Sequence, residues 1–449
     1  MQKKRGVLLG FLILSLVVAT ACSGGGSGDA SGASAAGSSA AAGSSGDGEV
    51  KTVTFANWAA AEESTQPYIA EVISAFEAEN PNIKIDVQSI PVSDILKEVT
   101  IQATAGNAPD IAQISSDNVL QLQTAGLIQP LDDLLGADFQ ADLYPDLYDS
   151  IGVVDGKHYA SPWANSTHGF FYNRKLLEQA GLDPDSPPKT IDELKEALTV
   201  AREKLPDDVI LLQADTTVRT LGLTQQWPFL VAFNDGVAPF TLEGEVNFNT
   251  EGIKEYMEFM RWAVDENITL PGLKYGEFRP YAAQDKLLFG NDVSCFDGIV
   301  RSLNEELTPE ILYETWGATA LPGTNAGVQA TPVQAHSLVI FEGSDVSEEA
   351  ALFLEYLVAS DAGLNDYIAP TGWVPAVQSA NEKSPAIAEN PIVTSFIEDV
   401  VPTGTTLPTG PDYTSYAEII MTAVQQVITT DDEIQPILDD AQAQLEALF

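Results

Sequence analysis

Side chains able to do chemistry are unevenly represented in this chain. Asp and Glu total 65, against 21 Lys plus Arg. Two carboxylates flanking a glycosidic bond can act as acid and base, and with 65 of them counting leaves a chance pair open. Histidine is scarce, with only His158, His168 and His336, and the two cysteines are Cys22 and Cys295. Zinc sites and His-based nucleophilic catalysis therefore have almost no material. No HExxH, GxSxG or GxxxxGK is present. Gly152 to Lys157 is one residue short of a phosphate loop and reads as a hairpin. Asp183 and Asp185 open like a calcium loop, but Pro187-Pro188 follow and no Gly or terminal Glu is in register. No metal or cofactor is expected. What remains is binding chemistry. Aromatic rings can cover the apolar faces of a small molecule, while Asp, Asn, Gln, Arg and His hold its polar groups.

The formal net charge is −44. Neutralising phosphates takes clustered Lys and Arg, so nucleic acid is excluded as a partner, as is a basic surface for anionic lipid. The acidity reads as a heavily solvated surface, with a salt-rich habitat or a cationic partner as the alternatives. At 449 residues and 45% hydrophobic, the chain has room for two or three domains.

The N-terminus predicts export. Lys3-Lys4-Arg5 precede an apolar run from Gly6 to Val18, too short for a permanent span of ~30 Å of hydrocarbon. Ala19-Thr20-Ala21-Cys22 resembles a bacterial lipobox, with Ala19 where Leu is usual. Residues 1–21 are read as a signal peptide and Cys22 as the lipidated first residue of an extracytoplasmic protein on the cell membrane. From Ser23 to Gly48 only Asp29 and Asp47 are not Ser, Gly or Ala. Such a segment is a slack tether with an end-to-end distance of about 30 Å. Cys295, among Val293, Phe296 and Ile299, reads as a small buried hydrophobe.

The elements that must position a site alternate. Lys51–Phe55 reads as a strand. Ser64-Thr65 caps a helix with Pro67 in its first turn, and Ile69, Val72, Ile73 and Phe76 form one apolar stripe. Ile83–Val87 alternates as a strand, Ile95, Leu96 and Val99 face inward from a helix, and Ile111–Ile114 is a short strand. Val119–Ala125 is a helix closed by Gly126. This rhythm predicts an α/β fold with a mostly parallel sheet. A hairpin at Asp155-Gly156 leads to a strand around Phe170–Tyr172. Thr190 to Glu193 reads as a capping box. A helix near 252–266, strands near 287–296 and 337–341, a helix capped by Ser347, and helices from Tyr413 with a break at Thr429–Asp431 complete the reading.

Several stretches together resemble the extracellular solute-binding proteins of ABC importers, of the family-one, maltose-binding-protein-like type. Gln102-Ala103-Thr104-Ala105-Gly106-Asn107-Ala108-Pro109-Asp110-Ile111 is similar to the family's A-x-G-x-x-P-D segment. Gly126 to Asp132 resembles its GLLxPLD, Asp155 to Pro162 its DGKxYxxP, and Phe171 to Leu177 its YYNKDLF. Leu321-Pro322-Gly323 and Gly372-Trp373-Val374-Pro375 match two later landmarks. The resemblance runs in order from about Val53 to the end. It implies a two-lobe periplasmic-binding-protein-like fold of type II character, with a hinge and a ligand cleft between the lobes. By analogy lobe one holds 49–164 and 323–361, and lobe two 165–322 and 362–449. No reaction is implied. The expected partners are a small-molecule solute, a sugar or oligosaccharide, and the transmembrane permease subunits, with the chain a monomer. A polyamine or other non-sugar solute on the same fold, and a secreted glycosidase, stay open as alternatives.

The candidate ligand residues follow. Trp58 comes after the first strand, at the edge where open α/β sheets bind ligands, with Glu62 and Glu63 nearby. Asp117 stands where the family places a sugar-binding carboxylate, its structural alternative being a cap for the Val119 helix. Asn165 lies on the first crossing segment. Trp227 begins an apolar helical run. Asp297 follows a buried strand at a position the family uses for contacts, with Arg301 one helical turn on. His336 precedes a strand, Trp373 sits in a Gly-Trp-Val-Pro turn, and Tyr413 opens the last helical region, where a relative places a stacking aromatic. Ile114 and Ser115 stand where maltose binders carry a Trp, so the maltose stacking pattern is not reproduced.

Overall fold

The computed structural model describes residues 49–410 and 412–449. The signal segment, Cys22 and the tether lie outside the described residues.

Ten strands build two sheets: β1 (Lys51–Asn57), β2 (Ile83–Ser89), β3 (Ile111–Ser115), β4 (Ser161–Asn165), β5 (His168–Asn173), β6 (Ile210–Leu212), β7 (Leu287–Val293), β8 (Trp316–Thr319), β9 (Ala335–Ile340) and β10 (Val374–Pro375). The first sheet has the order β10-β4-β9-β3-β1-β2, the second β8-β5-β7-β6. A mostly parallel sheet was expected, and this is corrected. β1 runs parallel to β2 and β3, as helix crossovers require, but β9 is antiparallel to β3 and β4, and β10 to β4. In the second sheet only β6–β7 is parallel. The βαβ rhythm covers the first three strands alone; β9, which returns from the other sheet, lies between β3 and β4 and runs antiparallel to both. Val374–Pro375, from the segment 362–449, joins the first sheet.

The local signals mostly describe what forms. The helix Gln66–Glu79 buries Ile69, Val72, Ile73 and Phe76 on one stripe. Asp155 and Gly156 both take positive φ, 51° and 75°, as a two-residue hairpin of primed type requires. The caps differ in detail. Thr65 holds the N-cap position of its helix without capping it; its hydroxyl donates to the Ala59 carbonyl at 2.8 Å, fastening the Trp58-Ala59 turn. Thr190 caps Glu193, but the Glu193 carboxylate accepts from the Lys189 amide, not from Thr190. Ser347 is the first residue of the helix Ser347–Ala359 rather than its cap.

Tryptophan placement narrows the binding candidates. Trp163 and Trp316 are fully buried in strands, with Trp163 stacked on Tyr367. Trp227 and Trp262 belong to helices. Only Trp58 and Trp373 stand in turns at strand ends.

Candidate functional site

A cavity of about 570 Å³ opens between the two sheets, within the size of small-molecule sites. Trp58, after β1, His336, in β9, and Trp373, before β10, wall it on the side of the first sheet, with Glu62 and Tyr68 beside them. Tyr275, Arg279, Cys295 and Arg301, on the elements flanking β7, wall it on the side of the second sheet, with Arg219.

The aromatic wall is held from behind by one buried amide. Gln113 on β3 accepts from the Trp58 and Ala59 amides through Oε1, both at 3.2 Å. Its Nε2 meets His336 Nδ1 at 3.3 Å. An amide nitrogen can only donate, so this bond assigns the proton of neutral His336 to Nε2. Asn57 accepts from the Ala60 amide at 2.7 Å and completes the turn. Trp58 meets the His336 ring edge-on at 5.0 Å, and His336 meets Trp373 at 4.3 Å. Three rings from positions 58, 336 and 373 thus form one continuous surface. Burial pushes His336 down to about 3, so the ring stays neutral near pH 7.

Trp373 is set by a close approach. Gly372 takes φ +75°, and the Val374 amide donates to Ser294 Oγ at 3.1 Å. Across this turn a Cβ on Gly298 would stand 2.8 Å from the Thr371 carbonyl oxygen, so only glycine lets the helix Phe296–Leu303 sit there. Trp373 Nε1 is buried with no hydrogen-bond partner among the described residues.

The opposite wall carries pinned guanidinium groups. Arg279 is held bidentately by Asp292, at 2.9 Å from Nε and 2.7 Å from Nη2, with its Cζ 4.9 Å from the Tyr275 ring centroid. Arg219 donates from Nη2 to Asp215 at 2.6 Å and from Nε to Thr217 Oγ1 at 2.8 Å. Arg301 donates from Nε to Asp297 at 2.6 Å. All three aspartates are fully buried. The Asp292 charge holds Arg279 well above the usual guanidinium range, against the cost of burial. Burial raises the Glu62 carboxyl, and the Arg279 charge partly offsets this. Burial also pushes the Cys295 thiol up to about 12, so it is inert as a nucleophile.

The candidates divide accordingly. Trp58, Arg301, His336 and Trp373 line the cavity, as does Glu62, while Glu63 is exposed outside it. Asp297 does not line it; its carboxylate accepts from Arg301, from the Tyr313 hydroxyl at 2.9 Å and from Asn390 Nδ2 at 2.9 Å. Asn165 is buried at the end of β4 and accepts from the Thr167 amide. Trp227 packs edge-on against Phe240 in the core beside the second sheet. Asp117 sits in a short turn after β3 and caps nothing; burial raises its carboxyl, with a Ser115 hydrogen bond opposing, and its Oδ1 has no partner among the described residues. Tyr413 is buried, bonds Thr224 Oγ1 through its hydroxyl at 3.0 Å, and feels the Asp117 charge. Neither Asp117 nor Tyr413 belongs to the cavity's lining.

Tyr275, Arg219 and Arg279 were not anticipated. The one signal for the arginines is rarity: the chain has seven, and three of them line one cavity. Among the described residues no group of three or more His, Cys, Asp or Glu could hold a metal ion, and no helix is long and apolar enough to cross a membrane.

Comparison with known proteins gives a consistent result. A putative binding protein of Brucella abortus is 26% identical over 403 residues, covering 90% of this chain and 93% of its own. The cyclic α-maltosyl-1,6-maltose binding protein of Arthrobacter globiformis superposes with TM-score 0.71 at 22% identity, over 89% of this chain and 99% of its own. A solute-binding protein of an ABC transporter from Thermotoga lettingae, bound with α-D-tagatose, reaches TM-score 0.76 at 20% identity, over 89% and 100%. These structures share the two-lobe α/β architecture. Residues 30–363 match the family described as bacterial extracellular solute-binding protein, whose members bind solutes and are not enzymes, which sets the glycosidase reading aside. The chain belongs to the bacterial extracellular solute-binding protein family.

Proposed function

We propose that this protein is the solute-binding lipoprotein of an ABC importer, held outside the cytoplasm on the cell membrane through Cys22. It captures a sugar or oligosaccharide in the cavity between its lobes and delivers it, as a monomer, to the transmembrane permease subunits. The observation that carries this reading is the continuous ring surface of Trp58, His336 and Trp373 facing polar donors across the cavity. Such a surface covers the C–H face of a sugar ring while pinned side chains fix its hydroxyls. The sugars named for the structural neighbours support it. Glu62 beside Trp58 favours a second reading, a polyamine, because an acid next to aromatic faces also suits an ammonium group.

A thermal-shift screen of mono- and oligosaccharides, with spermidine as the competing arm, tests the assignment. A ligand at about 100 times its Kd stabilises the native state by ~2.7 kcal/mol. Binding of a saccharide at one site per chain, with a smaller radius of gyration in solution scattering, is the expected result. Stabilisation by spermidine alone overturns the sugar reading. Cys22→Ala is expected to free the protein from the cell envelope; membrane association persisting at high salt refutes the anchor.

A further inference from the structure

The cavity has a hydrogen-bonding imbalance that a neutral sugar does not resolve. Three of the chain's seven arginines line it and no lysine does, although the whole molecule carries a net charge of −44. Each arginine is pinned through Nε, two by their aspartate directly and Arg219 by Thr217 and Asp215 together. The aspartates are satisfied in turn. Asp215 accepts from the Thr217 amide at 2.9 Å and the Tyr275 amide at 3.1 Å, Asp292 from the Val293 amide at 2.8 Å, and Asp297 from Tyr313 and Asn390. What is left over on this wall is mostly donors, with the carboxylates of Glu62 and Glu305 the lining acceptors that bond no group among the described residues. Nη1 of Arg219, Nη1 of Arg279 and both Nη atoms of Arg301 donate to no group among the described residues. Trp373 Nε1 is in the same position and is buried.

A hydroxyl group brings one donor along with its two acceptor lone pairs, so a neutral sugar filling this wall brings donors that need partners of their own. A carboxylate or phosphate brings acceptors alone. The planar guanidinium edge matches either group. The buried aspartates do not cancel the attraction. An anion on a free Nη edge lies one guanidinium width farther from the aspartate than from the arginine charge, and the nearer charge wins. Glu62, on the facing wall, accepts from sugar hydroxyls and leaves the arginines to the anion.

On the reading that this cavity takes a saccharide, we infer that the saccharide is anionic, bearing a carboxylate or a phosphate seated against Arg219, Arg279 and Arg301. Isothermal titration of the mature protein tests this with galacturonate and digalacturonate as carboxylate arm and glucose 6-phosphate as phosphate arm. Galactose, maltose and glucose are the neutral counterparts, and spermidine the cationic control, each at low and high salt. The expected result is an anionic member binding at least ~10-fold more tightly than its neutral counterpart, with the gap shrinking as salt rises. Which arm wins tells carboxylate from phosphate. The double replacement of Asp297→Asn with Arg301→Gln removes one charge pair without leaving a buried charge alone, and is expected to narrow the gap in a protein whose circular dichroism is unchanged. A neutral saccharide binding as tightly as its anionic counterpart, or more so, overturns the inference and leaves the sugar reading standing. Binding of spermidine alone, or of no member, overturns both.

Discussion

Acidification from about pH 7 to pH 5 should unload much of this protein's stability through two histidines. His168 lies on β5 with 2% exposure, accepting at Nδ1 from Gln225 Nε2 at 2.7 Å. Burial pushes it down to about 4, against the opposing pull of the Asp292 charge, and burial pushes His336 down to about 3. An unfolded histidine titrates near 6.5. Both groups therefore bind protons less readily folded than unfolded. Their stabilisation is complete above pH 6.5 and falls as pH drops from there toward the native values. Between pH 7 and 5 each loses about 2 kcal/mol, the unfolded chain taking up a proton the native one refuses. His336 borders the cavity, where water lessens its share. The two together remove roughly 3–4 kcal/mol, a large part of the 5–15 kcal/mol that holds a typical domain. Glu62 and Asp117, whose carboxyls burial raises, work in the other direction, so the wild-type slope alone is not diagnostic. Urea unfolding of wild type and His168→Gln at both pH values isolates the histidine, since the carboxylates act equally in both proteins. The variant should show a drop smaller by about 2 kcal/mol. An equal drop in the two proteins refutes the reasoning.

Other expectations bear on the cavity. Asp297→Ala strips the partner from Arg301, Tyr313 and Asn390 and should cost the unliganded protein about 3–5 kcal/mol in urea unfolding; loss of affinity with stability intact would make Asp297 a ligand contact instead. Trp373→Phe keeps a ring but removes the unpartnered Nε1–H, so ligand affinity by titration calorimetry should fall about 3- to 10-fold without loss of unliganded stability. Gly298→Ala drives a methyl into the Thr371 carbonyl and should cost ~1–3 kcal/mol while weakening binding, because the displaced turn carries Trp373; unchanged affinity would show that the turn does not position the ring.

Sequence periodicity determined the parts that depend on near neighbours. The stripe of Ile69, Val72, Ile73 and Phe76 needs only helical geometry, and the Asp155-Gly156 hairpin only two residues that tolerate positive φ. Ordered segments such as Pro109-Asp110 and Gly372-Trp373 pointed to the family as short motifs, although what Asp110 does, accepting from the Thr54 amide and the Ser344 hydroxyl, is visible only in the fold. Trp58 and Trp373 were legible as binding candidates because an aromatic at a strand end has no stripe to complete. The remaining site was decided by the packing of distant segments. Gln113, bonded to the Trp58 amide, reaches His336 across 223 residues of chain, and the Thr371 carbonyl leaves room only for a glycine at 298. Arg279 reads in sequence as one more surface cation; its pairing with Asp292 across β7 turns it toward the cavity wall. Asp297 and Arg301, one helical turn apart, looked like two ligand groups, yet burial of the aspartate makes it the anchor of the arginine. Local pattern reports which face of an element is buried, whereas the identity of the atoms across a cavity follows from how two sheets, each gathered from distant parts of the chain, come to face each other.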